Sequence, residues 1–235
     1  MITVDAVSKS FGKLKALDNI SITCRSGECI ALTGPNGSGK TTLIKSILGM
    51  IVPDSGKILV NGEDVAGGWK YREGIGYMPQ IGRYPDNMTI GQVLDMIKDM
   101  RQTPAARLDE ELIRAFKIPS LLHKRMGTLS GGTRQKVSAC LAFLFQPDVL
   151  ILDEPTAGLD PVSTEILKEK IVRETDKGKL ILITSHVLSD LEELVSEVIY
   201  MQDGKLCFHK QIERLLSDTK EERLGRAIAK VMSGI

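Results

Sequence analysis

Aromatic residues are scarce in this chain: Phe, Tyr and Trp make up 4% of 235 residues. That scarcity argues against a stacking platform for single-stranded nucleic acid. An excess of one charge is also missing. The net charge is +1, so nothing in bulk attracts the chain to nucleic acid or to an anionic membrane. Apolar runs are short. The longest, residues 139–145, lies in a helical pattern and falls far below the ~18 residues of a membrane span. Residues 1–6 lack the basic region and apolar core of a signal peptide, so a cytosolic chain is expected. No cysteine pair has the C-x-x-C spacing. The four cysteines, at 24, 29, 140 and 207, are not expected to form disulfides in a reducing compartment. Cys29 and Cys140 sit among apolar neighbours and read as small buried hydrophobes. Cys207 and His209 lie two apart on an expected strand and would face one side. Ordinary packing outweighs a soft-metal site there.

What is present is an ordinary globular composition, 42% apolar and 26% charged. The length suits one large domain, or a domain with a lobe, and buries a substantial core. The first ~25 residues alternate like strands: Ile2, Val4 and Ala6 on one face, then Leu17, Ile20 and Ile22. Turn signals stand at Ser26-Gly27, at 53–56 and at Asn61-Gly62. Short strands are expected at 57–62 and 75–78. From about 83 to 146 the texture turns helical. Thr89 suits the cap of a helix carrying Ile90, Val93, Leu94 and Ile97. A second helix is expected at about 107–117. A third carries Val137, Leu141 and Leu144 and is closed by Pro147. Apolar strands then appear at 149–152 and 180–184, as for a buried parallel sheet. Helices are expected at 161–176 and about 187–195, strands at 197–201 and 205–208, and an amphipathic tail from about 211.

Two segments have the chemistry of phosphate cradles. Residues 34–41 read Gly-Pro-Asn-Gly-Ser-Gly-Lys-Thr, between an apolar strand and a helix. This is the P-loop pattern in its proper context. Its glycines let backbone wrap around phosphates, Lys40 reaches the β- and γ-phosphates, and the Thr41 hydroxyl suits Mg²⁺. Asn36, Gly37, Ser38, Gly39 and Thr42 complete the loop. The second segment, Leu129-Ser130-Gly131-Gly132-Thr133, also opens a helix, where unpaired N–H groups favour anions. One nucleotide cannot use both cradles from a single subunit. Asp153 and Glu154 end the strand at 149–152, where ligands bind in open α/β sheets. Asp153 suits a metal-holding role and Glu154 a base that activates water. Gln80 and His186 also follow strand ends. Gln80 could reach both metal and water, and His186 the γ-phosphate.

The P-loop, LSGG at 129–132, VLILDEPT at 149–156, GLDP at 158–161 and Thr184-Ser185-His186 occur in one order across nearly the whole chain. Together they resemble the ATP-binding-cassette (ABC) ATPases, the nucleotide-binding domains of ABC transporters. The resemblance implies an α/β P-loop NTPase fold: a RecA-like α/β core, an N-terminal antiparallel β subdomain and an inserted helical subdomain. The core with its β subdomain would span about 1–82 and 147–210, the helical lobe about 83–146, and the tail about 211–235. It also implies ATP and Mg²⁺ as cofactors, and Thr41, Gln80 and Asp153 as metal ligands. Phe11 matches the aromatic that stacks on adenine, Gln80 the Q-loop glutamine, Asp160 the D-loop aspartate and His186 the switch histidine. Ser130, Gly131 and Gly132 match the signature that binds ATP held by a second subunit. The resemblance therefore implies a head-to-tail homodimer around two ATP molecules, with integral membrane permease subunits as partners and a place on the cytoplasmic face of the inner membrane. A docking groove near 84–100 would meet the permease. One departure is visible: Thr133 stands where the family commonly has Gln.

Two other classes remain open at this stage. A soluble ABC ATPase could act on ribosomes or DNA, although such relatives carry two cassettes or long coiled coils, and this chain has no basic patch. A nucleotide-binding subunit without turnover would not need Glu154 and His186. Segments 132–136 (GTRQK) and 185–193 (SHVLSDLEE) further resemble ATPase subunits of copper-processing exporters that serve nitrous-oxide reductase maturation. They also resemble drug and multi-substrate exporter ATPases.

Overall fold

Strand β1 (Ile2–Phe11) pairs antiparallel with β2 (Leu14–Cys24) and with β4 (Ser55–Val60), which pairs with the short β5 (Glu63–Asp64). The computed structural model describes residues 1–185 and 191–233. Ile2 and Val4 are buried as expected, but Ala6 is not. Its φ of 49° and the shift of register after Val4 place Val7 in the core instead. The same irregularity lets Leu17 and Ile20, three apart, both point inward, with Asn19 between them at φ 54°.

The second sheet is mostly parallel. Its order is β10-β9-β3-β8-β7-β6, from β3 (Cys29–Thr33), β6 (Ile75–Met78), β7 (Val149–Asp153), β8 (Leu180–Thr184), β9 (Glu197–Gln202) and the antiparallel β10 (Lys205–Gln211). Its apolar strands are continuous because both faces are covered. Val149 and Ile151 of β7 face the core shared with the antiparallel sheet and α1 (Lys40–Ile47). Leu150 and Leu152 face the other core, among helices. Ile30 and Leu32 of β3 and Leu180 and Leu182 of β8 follow Val149, while Ala31, Ile181 and Ile183 follow Leu150. Each of the Val, Leu and Ile side chains, once buried, contributes roughly 1.5–3 kcal/mol.

The lobe between β6 and β7 contains α2 (Ile90–Arg101), α3 (Glu111–Ala115) and α4 (Gly131–Phe143). Thr89 caps α2 through a reciprocal pair with Gln92. Helix α3 is shorter than the expected 107–117. Asp109 bonds outward, its N–H to the Leu144 carbonyl and its carboxylate to the Glu111 N–H, so the helix starts only after it. Helix α4 can lie close on β6 because residue 76 is glycine. A Cβ there would stand 2.1 Å from the Ala142 carbonyl oxygen. Helix α5 (Pro161–Asp176) joins β7 to β8. Of the helix expected at about 187–195, residues 186–190 lie outside the described residues, and 191–194 form a turn. The tail forms α6 (Ile212–Thr219) and α7 (Leu224–Ser233), which bury Leu215, Leu224 and Ala227 in the helical-side core.

Candidate functional site

The loop at 34–39 leaves the end of β3 and enters α1, and its shape depends on glycine. Gly39 adopts φ 103° as the residue before α1, and a Cβ there would stand 2.5 Å from the Ala16 carbonyl oxygen. Gly34, at φ 143°, lies so close to β9 that a Cβ would meet the Met201 carbonyl oxygen at 2.0 Å. The loop is thus wedged between β2 and β9. Lys40 folds back over it, donating to the carbonyls of Gly34 at 2.8 Å and Pro35 at 3.0 Å. Partial burial lowers the Lys40 pKa, and the carboxylates of Asp153 and Glu154 oppose that shift. The ammonium therefore lies within the field of both acids, on the loop where a phosphate would bind.

A pocket of about 480 Å³ lies over this loop. Residues 36–42 form its floor. Phe11 and Leu14, at the adjoining ends of β1 and β2, form one wall, with Phe11 49% exposed. Gln80, Asp153, Glu154, Thr184 and Ser185 form the opposite wall, at the ends of β6, β7 and β8. Residues separated by more than a hundred positions in sequence meet here because β6, β7, β8 and β3 run parallel and end on one edge.

Thr184, which sequence reasoning used only as a marker beside His186, organises the acidic wall. Asp153 and Thr184 are partners in register. The Thr184 hydroxyl donates to Asp153 Oδ1. The Glu154 N–H donates to both the Thr184 carbonyl and its hydroxyl oxygen, each at 3.1 Å. Glu154 itself adopts φ 51°, a left-handed conformation that a bulky residue holds only when its surroundings fix it. The signal for Thr184 was its place as the polar residue that closes an apolar strand, as Asp153 closes the neighbouring one. His186 lies outside the described residues.

Ser130, Gly131 and Gly132 do not line this pocket. Ser130 caps α4, its Oγ accepting from the Thr133 N–H at 3.2 Å. Gly131 has open space where a Cβ would stand, whereas at Gly132 it would meet the Gly158 carbonyl oxygen at 2.5 Å. Asp160 caps α5 through Ser163 and pairs with Lys136 at 2.7 Å. The Lys136 hydrogen bond and those from Ser163 hold its carboxyl well below the usual range. Cys207 and His209 do not form a ligand pair. The register of β10 shifts at Cys207, and His209 Nε2 lies 2.6 Å from Glu197 Oε2.

The oxygen donors Thr41, Gln80 and Asp153 share the pocket. Hard oxygen ligands with a single carboxylate suit Mg²⁺ bound together with substrate phosphates.

The comparisons agree with this geometry. The family model described as ABC transporter matches residues 17–157. The chain is 31% identical to the lipopolysaccharide export system ATP-binding protein LptB of Haemophilus influenzae, over 95% of this chain and 96% of that protein. It is 31% identical to the Nod factor export ATP-binding protein I of Rhizobium sp. (strain N33), over 99% of this chain and 77% of that one. Among solved structures, an ATP-binding subunit of an ABC transporter superposes with a TM-score of 0.92 at 27% identity, covering 99% of each chain. A cassette solved as a post-hydrolysis dimer with ADP and Pi has the same fold, with a TM-score of 0.78 at 20% identity, covering 90% of this chain and 99% of that one. With its P-loop, acidic strand end and signature helix set on this α/β frame, the chain belongs to the ABC transporter family, as an ATP-binding-cassette ATPase.

Proposed function

We propose that this chain is the ATPase subunit of an ABC exporter, dimerising around two ATP molecules and driving separate membrane subunits. One observation carries the reading: a single pocket gathers the P-loop, Phe11, Gln80, Asp153 and Glu154. Phe11 offers an exposed ring to the adenine. Backbone N–H groups of the loop, with Lys40, hold the phosphates; Ser38, Thr41 and Thr42 add hydroxyls. Thr41, Gln80 and Asp153 hold Mg²⁺, which when bound neutralises charge on the phosphates. Glu154 orients the attacking water and takes its proton. Gln80 contacts both that water and the metal site, and His186 has the role of a γ-phosphate contact.

The second cradle, Ser130, Gly131 and Gly132, receives the γ-phosphate of ATP held by the other subunit. Its separation from the pocket supports this head-to-tail sandwich. Hydrolysis removes the bridging charge, and the dimer opens.

A cleft of about 690 Å³ between the core and the helical lobe supports permease docking. Trp69, Met50 and Met100 line it and are largely exposed. Arg101 crosses between lobe and core, donating to the Glu73 carbonyl at 2.8 Å. Tyr84, expected near this groove, instead packs against the helical-side core. Among the described residues no helix is long and apolar enough to cross a membrane. The two relatives above are named as export ATP-binding proteins, which supports the direction of transport. The copper-processing reading rests on segments 132–136 and 185–193. In it the metal passes through the partner, and this chain supplies the ATP-driven motion. The neighbouring coding sequences test that cargo assignment.

Purification of the tagged chain from its native membrane tests the assembly. Recovery with an integral membrane protein, released when Trp69 or Met100 is replaced by Glu, is the expected outcome. Recovery with ribosomes or DNA instead would overturn it in favour of a soluble ABC ATPase.

A further inference from the structure

Gln135 stands on the second turn of α4, in the helix that begins at the signature, and its side chain is buried to 5% exposure. A buried amide needs partners, and this one reaches across to another element. Its Nε2 donates to the backbone carbonyl of Glu154 at 3.2 Å. The N–H of that same residue is held by Thr184. The Glu154 backbone, at φ 51°, is thus gripped from both sides: by β8 through its N–H and by α4 through its carbonyl. Two further contacts clamp α4 to the loop that follows. Gly132 packs against the Gly158 carbonyl, and Lys136 pairs with Asp160. Positions 132, 135 and 136 lie within about one turn, so they form one face of the helix.

This arrangement joins two sites. On the sandwich reading above, on which this inference rests, the start of α4 binds the partner's ATP while Glu154 serves this subunit's own ATP. We infer that Gln135 is a positioning residue that couples the two: engagement of the signature by one nucleotide sets the peptide bearing the base for the other. Gln135 itself touches neither nucleotide. Its amide transmits the position of α4 to Glu154, and a donor at this place is required because the acceptor is a carbonyl oxygen.

Gln135→Met keeps the length of the side chain and removes the donor. The expected result is a fall in kcat of tenfold or more, with KM for ATP and Kd for ADP within twofold of the parent. A purely structural role would move all three together with the melting temperature. Gln135→Glu provides a second variant. Its carboxyl donates only when protonated, so its rate relative to the parent should rise as pH is lowered from 8 to 6. Ser130→Ala combined with Gln135→Met should be no worse in kcat than the weaker single variant, since both interrupt one path. The inference is overturned if Gln135→Met retains kcat within twofold, if the double variant is multiplicative, or if neither Gln135 variant folds. Failure of the underlying reading is separate. It would show as a parent protein with no ATP turnover or no ATP-dependent dimer.

Discussion

Ser130 Oγ lies 2.9 Å from Thr133 Oγ1, so the one departure from the common signature touches the cradle's own serine. Ser130 also accepts from the Thr133 backbone N–H. The threonine hydroxyl therefore fixes the serine rotamer, a task that a longer glutamine side chain at this position would perform differently. Thr133→Val removes the hydroxyl and keeps the shape. A hydrogen bond of this kind contributes about 1 kcal/mol. The expected outcome is a roughly fivefold weaker ATP-dependent dimer, measured by sedimentation, with ADP binding to the isolated subunit unchanged.

Lys170 of α5 is buried to 1% exposure and contacts Asp109 at 2.5 Å, Glu111 at 2.8 Å and Glu174 at 3.0 Å. Burial lowers its pKa, but hydrogen bonds to these acids outweigh that and raise it. The network ties α5 to the start of α3 in the lobe. Lys170→Met leaves Asp109 without its cation and removes one of the cations of Glu111 and Glu174, which costs about 3–5 kcal/mol. Thermal unfolding should fall by roughly 10 °C, since each kcal/mol is worth about 2–4 °C at this size.

The partner Glu174 gives a pH dependence. Burial raises its pKa, yet hydrogen bonds from Lys177, Lys179 and Lys170 prevail and bring it down to about 2, from an ordinary 4.5. A carboxylate with a depressed folded-state pKa stabilises above its unfolded value. Its contribution is complete above pH 4.5 and is lost as pH falls from there toward 2. Urea unfolding between pH 6 and 3 should show a steeper loss for the parent than for Glu174→Gln.

The cysteines differ in reactivity. Burial pushes the Cys24 and Cys29 thiols up to about 12, and Cys140 higher still. Cys207 is exposed. A maleimide at pH 7 should label Cys207 rapidly in the folded protein and all four thiols after denaturation.

These side chains also indicate what the sequence could reveal. The P-loop and the 153–154 pair were legible because each is contiguous, and strand ends in a parallel sheet meet on one edge. The cores of β3, β7 and β8 were legible because these strands are apolar up to their last residue. Ala6 was misplaced because a bulge breaks strict alternation, and nothing in residues 2–7 marks where the extra residue falls. A register shift between Leu206 and Phe208 likewise interrupts the alternation assumed for Cys207 and His209. Asp109 shortened a helix by bonding to Leu144, a contact that spacing within the helix does not encode. Gln135 was hidden because its partner is a backbone carbonyl on a loop 19 residues away.

The central claim is that Glu154 is the base of an ATP sandwich shared by two copies of this chain. Glu154→Gln keeps the size of the side chain and removes its basicity. Light scattering after gel filtration with ATP and Mg²⁺, together with phosphate release, measures both parts of the claim at once. The account predicts a stable dimer that holds ATP, with turnover reduced a hundredfold or more, and a monomer when nucleotide is omitted. A Glu154→Gln protein that hydrolyses ATP at the parent rate, or stays monomeric with ATP bound, would contradict it.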